Sequence, residues 1–418
     1  MKRYVVPLAV IAATAPVGAR QAPSPVPTRS GGMQWEGERP ADWNGTLLLW
    51  SRGYSPVAGR PESAPAALKA ALLAEGYAIA GSDYGSGGWA LAEAVPAQRA
   101  TIAAFAARYG KPRRVIAWGY SMGGLVTTAL AEQRPAAIDG GVALCASIGG
   151  ALGMMNMALD GASAFRTLVA PDAGIRIVNV DDDMANGQRA ATALAAVSGT
   201  PAGRARIALA GVLAGIPGWT SPDRAEPAAT DYAAQADEIA RSFVRGVFLP
   251  RVDQEARAGG AFSWNVGVDY HRQLALSGRR EMVAALYRAA GLDLDADLAR
   301  LQAAPRIAAA PKAVRYMTAH YTPNARPAVP LVAVQAIGDG LTSPSLQRGY
   351  VEAARGDVRS LWVRGAGHCT FTPQTVLASL RYLDARLTQG RWPAQPAGFV
   401  DHTPPPMLRP CVRGGRCR

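Results

Sequence analysis

The chain predicts an α/β fold: a mostly parallel sheet with helices on both faces, interrupted by a large helical insertion. Three observations carry this reading. Short β-branched or apolar runs alternate with helical patterns up to about residue 149. The alternation stops between about 150 and 324, where the periodicity is helical and no core strand is evident. It resumes at Pro330-Leu331-Val332-Ala333-Val334-Gln335. Strands joined through helices cannot be hairpin partners, so they lie parallel and need cover on both faces.

Taken in order, Thr46-Leu47-Leu48-Leu49-Trp50 reads as a buried strand ending in Ser51-Arg52-Gly53-Tyr54. Residues 65–75 have helical spacing with a proline at the start, where a helix tolerates it. Tyr77-Ala78-Ile79-Ala80-Gly81 is the next strand, followed by a Gly-rich loop. The Ala-rich stretch 96–109 predicts a helix, 114–118 a strand and 141–145 another. In the insertion, helices are expected at 204–213, 232–243, 279–290 and 293–302. After the strand at 330–335 come a helix at 346–355, a strand at 359–363 and a helix at 373–387. The core is thus assigned to 33–149 and 325–390, a helical cap to 150–324, and a Pro-rich basic tail to 391–418. No internal repeat is visible.

The N-terminus has a separate logic. Lys2-Arg3, an apolar stretch at 4–15 and the small residues Val17-Gly18-Ala19 read as a secretory signal peptide over 1–19, followed by a flexible leader over 20–32. A secreted or periplasmic location is expected. No later stretch approaches twenty apolar residues, so stable membrane insertion is not.

With 49% hydrophobic and 18% charged residues, the 418-residue chain can bury a sizeable core. The net charge is +13, but the basic residues are mostly scattered arginines and no nucleic-acid motif accompanies them, so a nucleic-acid partner is not expected. The cysteines are Cys145, Cys369, Cys411 and Cys417; an even count in an exported chain favours disulfides, and without a C-x-x-C pair no metal site is expected. Asp181-Asp182-Asp183 lacks the twelfth-position acid of a calcium loop and reads as a turn or helix cap.

The most informative segment is Gly119-Tyr120-Ser121-Met122-Gly123, placed between the run Val115-Ile116-Ala117-Trp118 and a helical pattern. Strand, G-x-S-x-G and helix in that order make a nucleophile elbow. The serine sits on a strained turn, and side chains two residues to either side would collide. A serine nucleophile needs a base and an orienting acid. Only His368 among the four histidines, His271, His320, His368 and His402, follows a core strand. Asp339, in Gly338-Asp339-Gly340, follows the strand before it and is the candidate acid. The backbone N–H groups of Met122 and of Gly53 or Tyr54 are the candidate oxyanion donors.

These segments together resemble the α/β-hydrolase superfamily, across both halves of the sheet. The match is carried by the elbow, by Gly338-Asp339, by Gly367-His368, and by Arg52-Gly53 where the superfamily often has His-Gly. The resemblance implies a secreted serine esterase working through an acyl-enzyme on a small-molecule or polymeric ester, with no cofactor. A peptidase or amidase on the same triad, and a non-catalytic binding protein with the same fold, are the alternatives. The sequence looks most like secreted bacterial hydrolases with Gly-His-Cys after the last strand. Tannases and feruloyl esterases likewise carry a cysteine directly after the histidine, bridged to one beside the serine; here Tyr120 holds that second place. The resemblance implies a Cys145–Cys369 bridge near the site, leaving Cys411–Cys417 in the tail. Substrate contacts are expected from Arg52, Tyr120, Trp219, Trp264 and Tyr270, with a solvated Arg52 as the alternative for that residue. Oligomeric state is left open. Gly85-Ser86-Gly87-Gly88-Trp89-Ala90 mimics a dinucleotide fingerprint but has no acid about twenty residues on, and reads as a loop near the site.

Overall fold

The computed structural model describes residues 28–30, 32–415 and 417. The segment read as a signal peptide, and most of the expected leader, lie outside these residues. The first half of the core runs β1 (Thr28–Ser30), β2 (Met33–Glu38), β3 (Thr46–Ser51), α1 (Ala66–Ala74), β4 (Ala78–Ser82), α2 (Leu91–Tyr109), β5 (Arg114–Tyr120), α3 (Met122–Ala131) and β6 (Gly140–Leu144). Nine helices follow among the described residues: α4 (Gly150–Leu168), α5 (Asp183–Val197), α6 (Pro201–Leu213), α7 (Tyr232–Val247), α8 (Val252–Ala258), α9 (Tyr270–Leu276), α10 (Arg280–Ala289), α11 (Leu294–Ala303) and α12 (Pro311–Tyr321). The sheet then resumes with β7 (Leu331–Gly338), α13 (Pro344–Ala353), β8 (Val358–Ala366) and α14 (Pro373–Gln389).

The eight strands form one sheet in the order β1-β2-β4-β3-β5-β6-β7-β8. From β4 to β8 every neighbouring pair is parallel; β2 pairs antiparallel with both β1 and β4. The central strands β3, β4, β6 and β7 are buried at every residue. That is why they read as continuous apolar runs rather than alternations. α2, α3 and α13 pack on one face of the sheet, and α1 and α14 on the other. The insertion has its own core, built on α4, α6, α7, α9 and α10 around Phe165, Ile239, Phe243 and Tyr287.

Three features differ from the sequence expectation. Thr28–Ser30, inside the expected leader, is a strand, and β2 was missed beside it: both are short, and β2 alternates buried and half-buried one strand in from the sheet edge. α2 begins at Leu91 and carries Pro96 inside its first two turns. The Pro-rich tail, for which no packing was assigned, docks with Met407, Leu408, Arg409 and Cys411 buried, while its Cys411–Cys417 bridge is the one expected. Among the described residues, no helix is long and apolar enough to cross a membrane.

Candidate active site

The elbow joins β5 to α3. Ser121 has φ 57° and ψ −120°, a strained conformation for a residue with a Cβ. A Cβ on Gly119 would meet the Ser51 carbonyl oxygen at 2.5 Å, and one on Gly123 would overlap that same oxygen. The two glycines are therefore required by the backbone of the β3 strand end passing beneath the turn. Ser121 N donates to Leu144 O at 3.0 Å, which ties the turn to β6.

Ser121 Oγ lies 2.9 Å from His368 Nε2, and His368 Nδ1 lies 2.8 Å from Asp339 Oδ2. Asp339 is fully buried and every lone pair it offers is used. Its Oδ1 accepts the N–H of Leu341 at 2.8 Å and of Thr342 at 2.9 Å, and its Oδ2 accepts Thr342 Oγ1 at 2.9 Å. Thr342 was not anticipated in this role. Its hydroxyl also lies 2.9 Å from Cys145 O and 3.2 Å from His368 Nδ1, so it links the acid loop, the histidine and the strand end after the elbow.

Cys145 and Cys369 form a disulfide with Cα atoms 5.3 Å apart. Cys369 Sγ is 3.4 Å from His368 Nε2, so the bridge holds the histidine loop against the end of β6. Cys145, His368 and Cys369 place their donor atoms within 4.8 Å of one another, but both sulfurs are spent on the disulfide and do not offer a thiolate to a metal.

Gly53 lies against the nucleophile: a Cβ there would sit 3.6 Å from Ser121 Cβ. Met122 opens α3, so its N–H belongs to the unpaired first turn of a helix whose dipole favours negative charge at that end. Among the described residues the N–H groups of Gly53, Tyr54 and Met122 have no hydrogen-bond acceptor.

A cavity of about 310 Å³ opens at Ser121. The core contributes Tyr54, Trp89, Ser147, Leu341 and Thr342 to its wall, and the insertion contributes Met154, Val244, Arg245, Phe248, Leu249 and Pro250. Burial, with the charges of Asp183 and Asp253, raises the Tyr54 hydroxyl above its ordinary pKa. α8 is fastened to the loop that mimicked a dinucleotide fingerprint. Arg257 donates to Glu93 at 2.6 Å, to Ser86 Oγ at 3.0 Å and to Gly87 O at 2.9 Å, while Asp253 Oδ2 accepts Trp89 N at 2.7 Å. Gly88 has φ 71°, and the Asp253 carboxylate occupies the space a Cβ would need. Gly88 thus makes room for the insertion, while a Cβ on Gly87 would meet the backbone of Pro56 and Val57 in the core.

The expected substrate contacts fall elsewhere. Arg52 is neither solvated nor in the cavity wall: its guanidinium donates to the carbonyls of Asp83 (3.1 Å), Ser86 (2.7 Å) and Gly53 (3.2 Å) and stacks over Tyr84. Tyr120 packs on Trp50 and Phe371, and burial pushes its hydroxyl up to about 12. Trp219 donates its indole N–H to Ser221 O and Arg224 O and lines a separate cavity of about 250 Å³ beneath Pro404–Pro406. Trp264 lies under the Arg409 guanidinium. Tyr270 is buried in the insertion core, its hydroxyl accepting from Asn265 and facing Asp160. Aromatic residues far apart in sequence gave no local sign of which would pack a core and which would face the serine. Phe248, which shares the wall with Tyr54 and Trp89, carries no motif, whereas Trp89 belongs to the Gly-rich loop read as lying near the site.

The strand order, with an elbow serine after β5, an acid after β7 and a histidine after β8, is the α/β-hydrolase architecture. The chain is 29% identical over 394 residues to the o-phthalyl amidase of Xanthobacter agilis, covering 85% of each chain. No family model matches it. Among solved structures it is similar to Est1E from Butyrivibrio proteoclasticus (11% identity, 87% of this chain and 99% of that one, TM-score 0.38). It is also similar to feruloyl esterase B from Aspergillus oryzae (14%, 88% and 80%, 0.39) and to the proline iminopeptidase of Mycobacterium smegmatis (13%, 88% and 100%, 0.40).

Proposed function

We propose that this chain is a secreted serine hydrolase that cleaves carboxylic esters through an acyl-enzyme. The observation that carries the reading is the unbroken relay Ser121 Oγ–His368 Nε2 (2.9 Å) and His368 Nδ1–Asp339 Oδ2 (2.8 Å). Ser121 attacks the carbonyl while His368 takes its proton. The N–H groups of Met122 and of Gly53 or Tyr54 stabilise the oxyanion, and His368 returns the proton to the leaving group. Water activated by His368 then hydrolyses the acyl-enzyme, with Asp339 holding the tautomer throughout. The insertion acts as a cap that sets substrate size and limits water, a reading supported by the six insertion residues in the cavity wall. Secretion is supported by the residues at 1–19 and by the two disulfides, which persist in oxidising compartments.

A second reading, amide cleavage by the same triad, is favoured by the likeness to o-phthalyl amidase. Turnover of matched ester and amide panels by the mature protein separates the two. Ser121→Ala abolishes hydrolysis and labelling by a fluorophosphonate while leaving the fold intact, and His368→Ala is nearly as severe because the two act as a unit. A Ser121→Ala protein with wild-type turnover overturns the mechanism. A wild-type protein that neither turns over nor takes the label is a binding protein on this fold.

A further inference from the structure

The two candidate oxyanion donors after β3 sit on peptide groups whose opposite ends are held. In a trans peptide the C=O of one residue and the N–H of the next lie in one plane and point in opposite directions, and neither peptide bond here is cis. Fixing a carbonyl therefore aims the N–H beyond it. The Arg52 carbonyl oxygen accepts the Tyr84 hydroxyl at 3.0 Å, which sets the plane carrying the Gly53 N–H. The Gly53 carbonyl oxygen accepts Arg52 Nη1 at 3.2 Å, which sets the plane carrying the Tyr54 N–H. Both N–H groups are left without an acceptor among the described residues, beside a nucleophile whose Cβ would lie 3.6 Å from a Cβ on Gly53.

The side chains that hold these planes are built in from a second loop. Arg52 is 8% exposed and Tyr84 3%. Arg52 Nη2 donates to Asp83 O at 3.1 Å and to Ser86 O at 2.7 Å, and the guanidinium lies 4.6 Å over the Tyr84 ring. These acceptors are main-chain carbonyls and not a carboxylate, so a charge is buried here without a counter-charge, which is costly. Tyr84 has φ 62°, a left-handed conformation that is strained for a bulky side chain. The turn that imposes it is pinned by Asp83 Oδ1, which accepts Gln34 N at 2.9 Å and Gly85 N at 2.8 Å. Burial raises the Tyr84 hydroxyl above its ordinary pKa, so it stays a proton donor. A buried charge and a strained tyrosine converge on two consecutive carbonyls, and those two peptides carry the unpaired N–H groups at Ser121.

Granting Ser121 as the nucleophile and the N–H groups of Met122 and of Gly53 or Tyr54 as the oxyanion donors, we infer that Arg52 and Tyr84 are positioning residues that preset the oxyanion loop. Neither touches the reacting atoms. Tyr84 orients the first peptide and Arg52 the second, and the stack between their side chains joins the two into one lock, so loss of either loosens both. The donors are aimed before substrate arrives, and a donor that need not reorganise is worth most to a developing oxyanion.

The test is a matched pair of substrates, a 4-nitrophenyl ester and its thionoester, in which sulfur replaces the carbonyl oxygen. The two share a leaving group and use the same Ser121 and His368, but sulfur is the weaker acceptor and gains less from the N–H donors. The ratio of kcat/KM for ester over thionoester therefore reads the oxyanion site, whereas a general loss of structure lowers both alike. Removing one oxyanion donor costs about 10²–10³-fold, so misaimed donors are expected to cost the ester about tenfold in Tyr84→Phe and about a hundredfold in Arg52→Met, with the ratio falling about fivefold or more in both. Arg52→Lys keeps the charge but not the planar fork, and its ratio is expected between those of Arg52→Met and wild type. An unchanged ratio in folded Tyr84→Phe or folded Arg52→Met overturns the inference, and Tyr84→Phe decides alone if Arg52→Met does not fold. Ser121→Ala is scored separately. If it still hydrolyses the ester, or if wild type does not, the hydrolase reading falls and this inference with it; equal losses on both substrates with Ser121→Ala inert overturn the lock alone.

Discussion

Asp339→Asn isolates what the buried carboxylate does beyond filling space. Oδ1 of Asp339 accepts two backbone N–H groups, from Leu341 and Thr342, whereas Oδ2 faces His368 Nδ1 and the Thr342 hydroxyl. An asparagine must keep its carbonyl on the Oδ1 side. Reversing the amide would set its NH₂ against two buried donors, at a cost of about 1–3 kcal/mol for each bond lost. The NH₂ therefore points at His368 Nδ1 and donates to it. The imidazole proton moves to Nε2, where it faces Ser121 Oγ and blocks the nitrogen that must accept the serine proton. The expected loss in kcat is about 10⁴-fold, or about 5.5 kcal/mol of barrier, the size of effect known for a wrong-tautomer Ser-His-Asp triad. Because the replacement is isosteric, thermal unfolding should shift little. The assay is steady-state turnover of a chromogenic ester, with circular dichroism melts on the same samples. Asp339→Ala is the informative partner. It orphans the Leu341 and Thr342 donors and should lose more stability, yet it does not enforce the wrong tautomer. Asp339→Asn is expected to be at least as inactive as Asp339→Ala while being the more stable of the two. A folded Asp339→Asn within tenfold of wild-type kcat would refute the reasoning.

Other consequences are equally direct. Replacing Cys145 and Cys369 together by Ala opens a loop closed across 224 residues, worth about 5 kcal/mol in the chain-entropy account, and frees the His368 loop; both Tm and kcat should fall, and unchanged kcat would remove the bracing role. Arg409→Met strands the buried Asp160 carboxylate, now 2.7 Å from the guanidinium, and should destabilise by about 3–5 kcal/mol at neutral pH in denaturant titrations. Burial holds Asp160 at about 6, above its ordinary 3.8, so the folded state binds that proton more tightly than the unfolded chain and Asp160 adds stability as the pH falls from 6 toward 4. The variant's deficit should therefore shrink on acidification, beginning above pH 6; a deficit that does not depend on pH would refute this. Phe248→Ala should reorder an ester panel, whereas Trp219→Ala should leave the order as it is, since its indole faces a different cavity; the opposite pattern would place the specificity wall wrongly.

What the amino-acid sequence determined by itself is the part of the site governed by near neighbours. Gly119 and Gly123 flank Ser121 because the turn admits no Cβ at either place, and that constraint is written within five residues. Asp339 and His368 were legible because each follows a strand of a buried parallel sheet, whose apolar runs announce themselves. The tertiary structure alone decided the rest. α4 escaped notice because it is buried nearly all round: its polar residues Asn156, Asp160 and Ser163 are buried with the rest, so no solvent-facing side sets it apart. Arg52 looked free to bind an anion, but its side chain is buried with Nη2 held by the Asp83 and Ser86 carbonyls, more than thirty residues away. The cavity wall joins Tyr54 and Trp89 to Ser147 and Met154, and these to Arg245 and Phe248, from segments separated by as many as about 190 residues. No local rule of spacing or propensity acts over such distances; only the packing of the insertion onto the sheet edge brings those side chains to one serine.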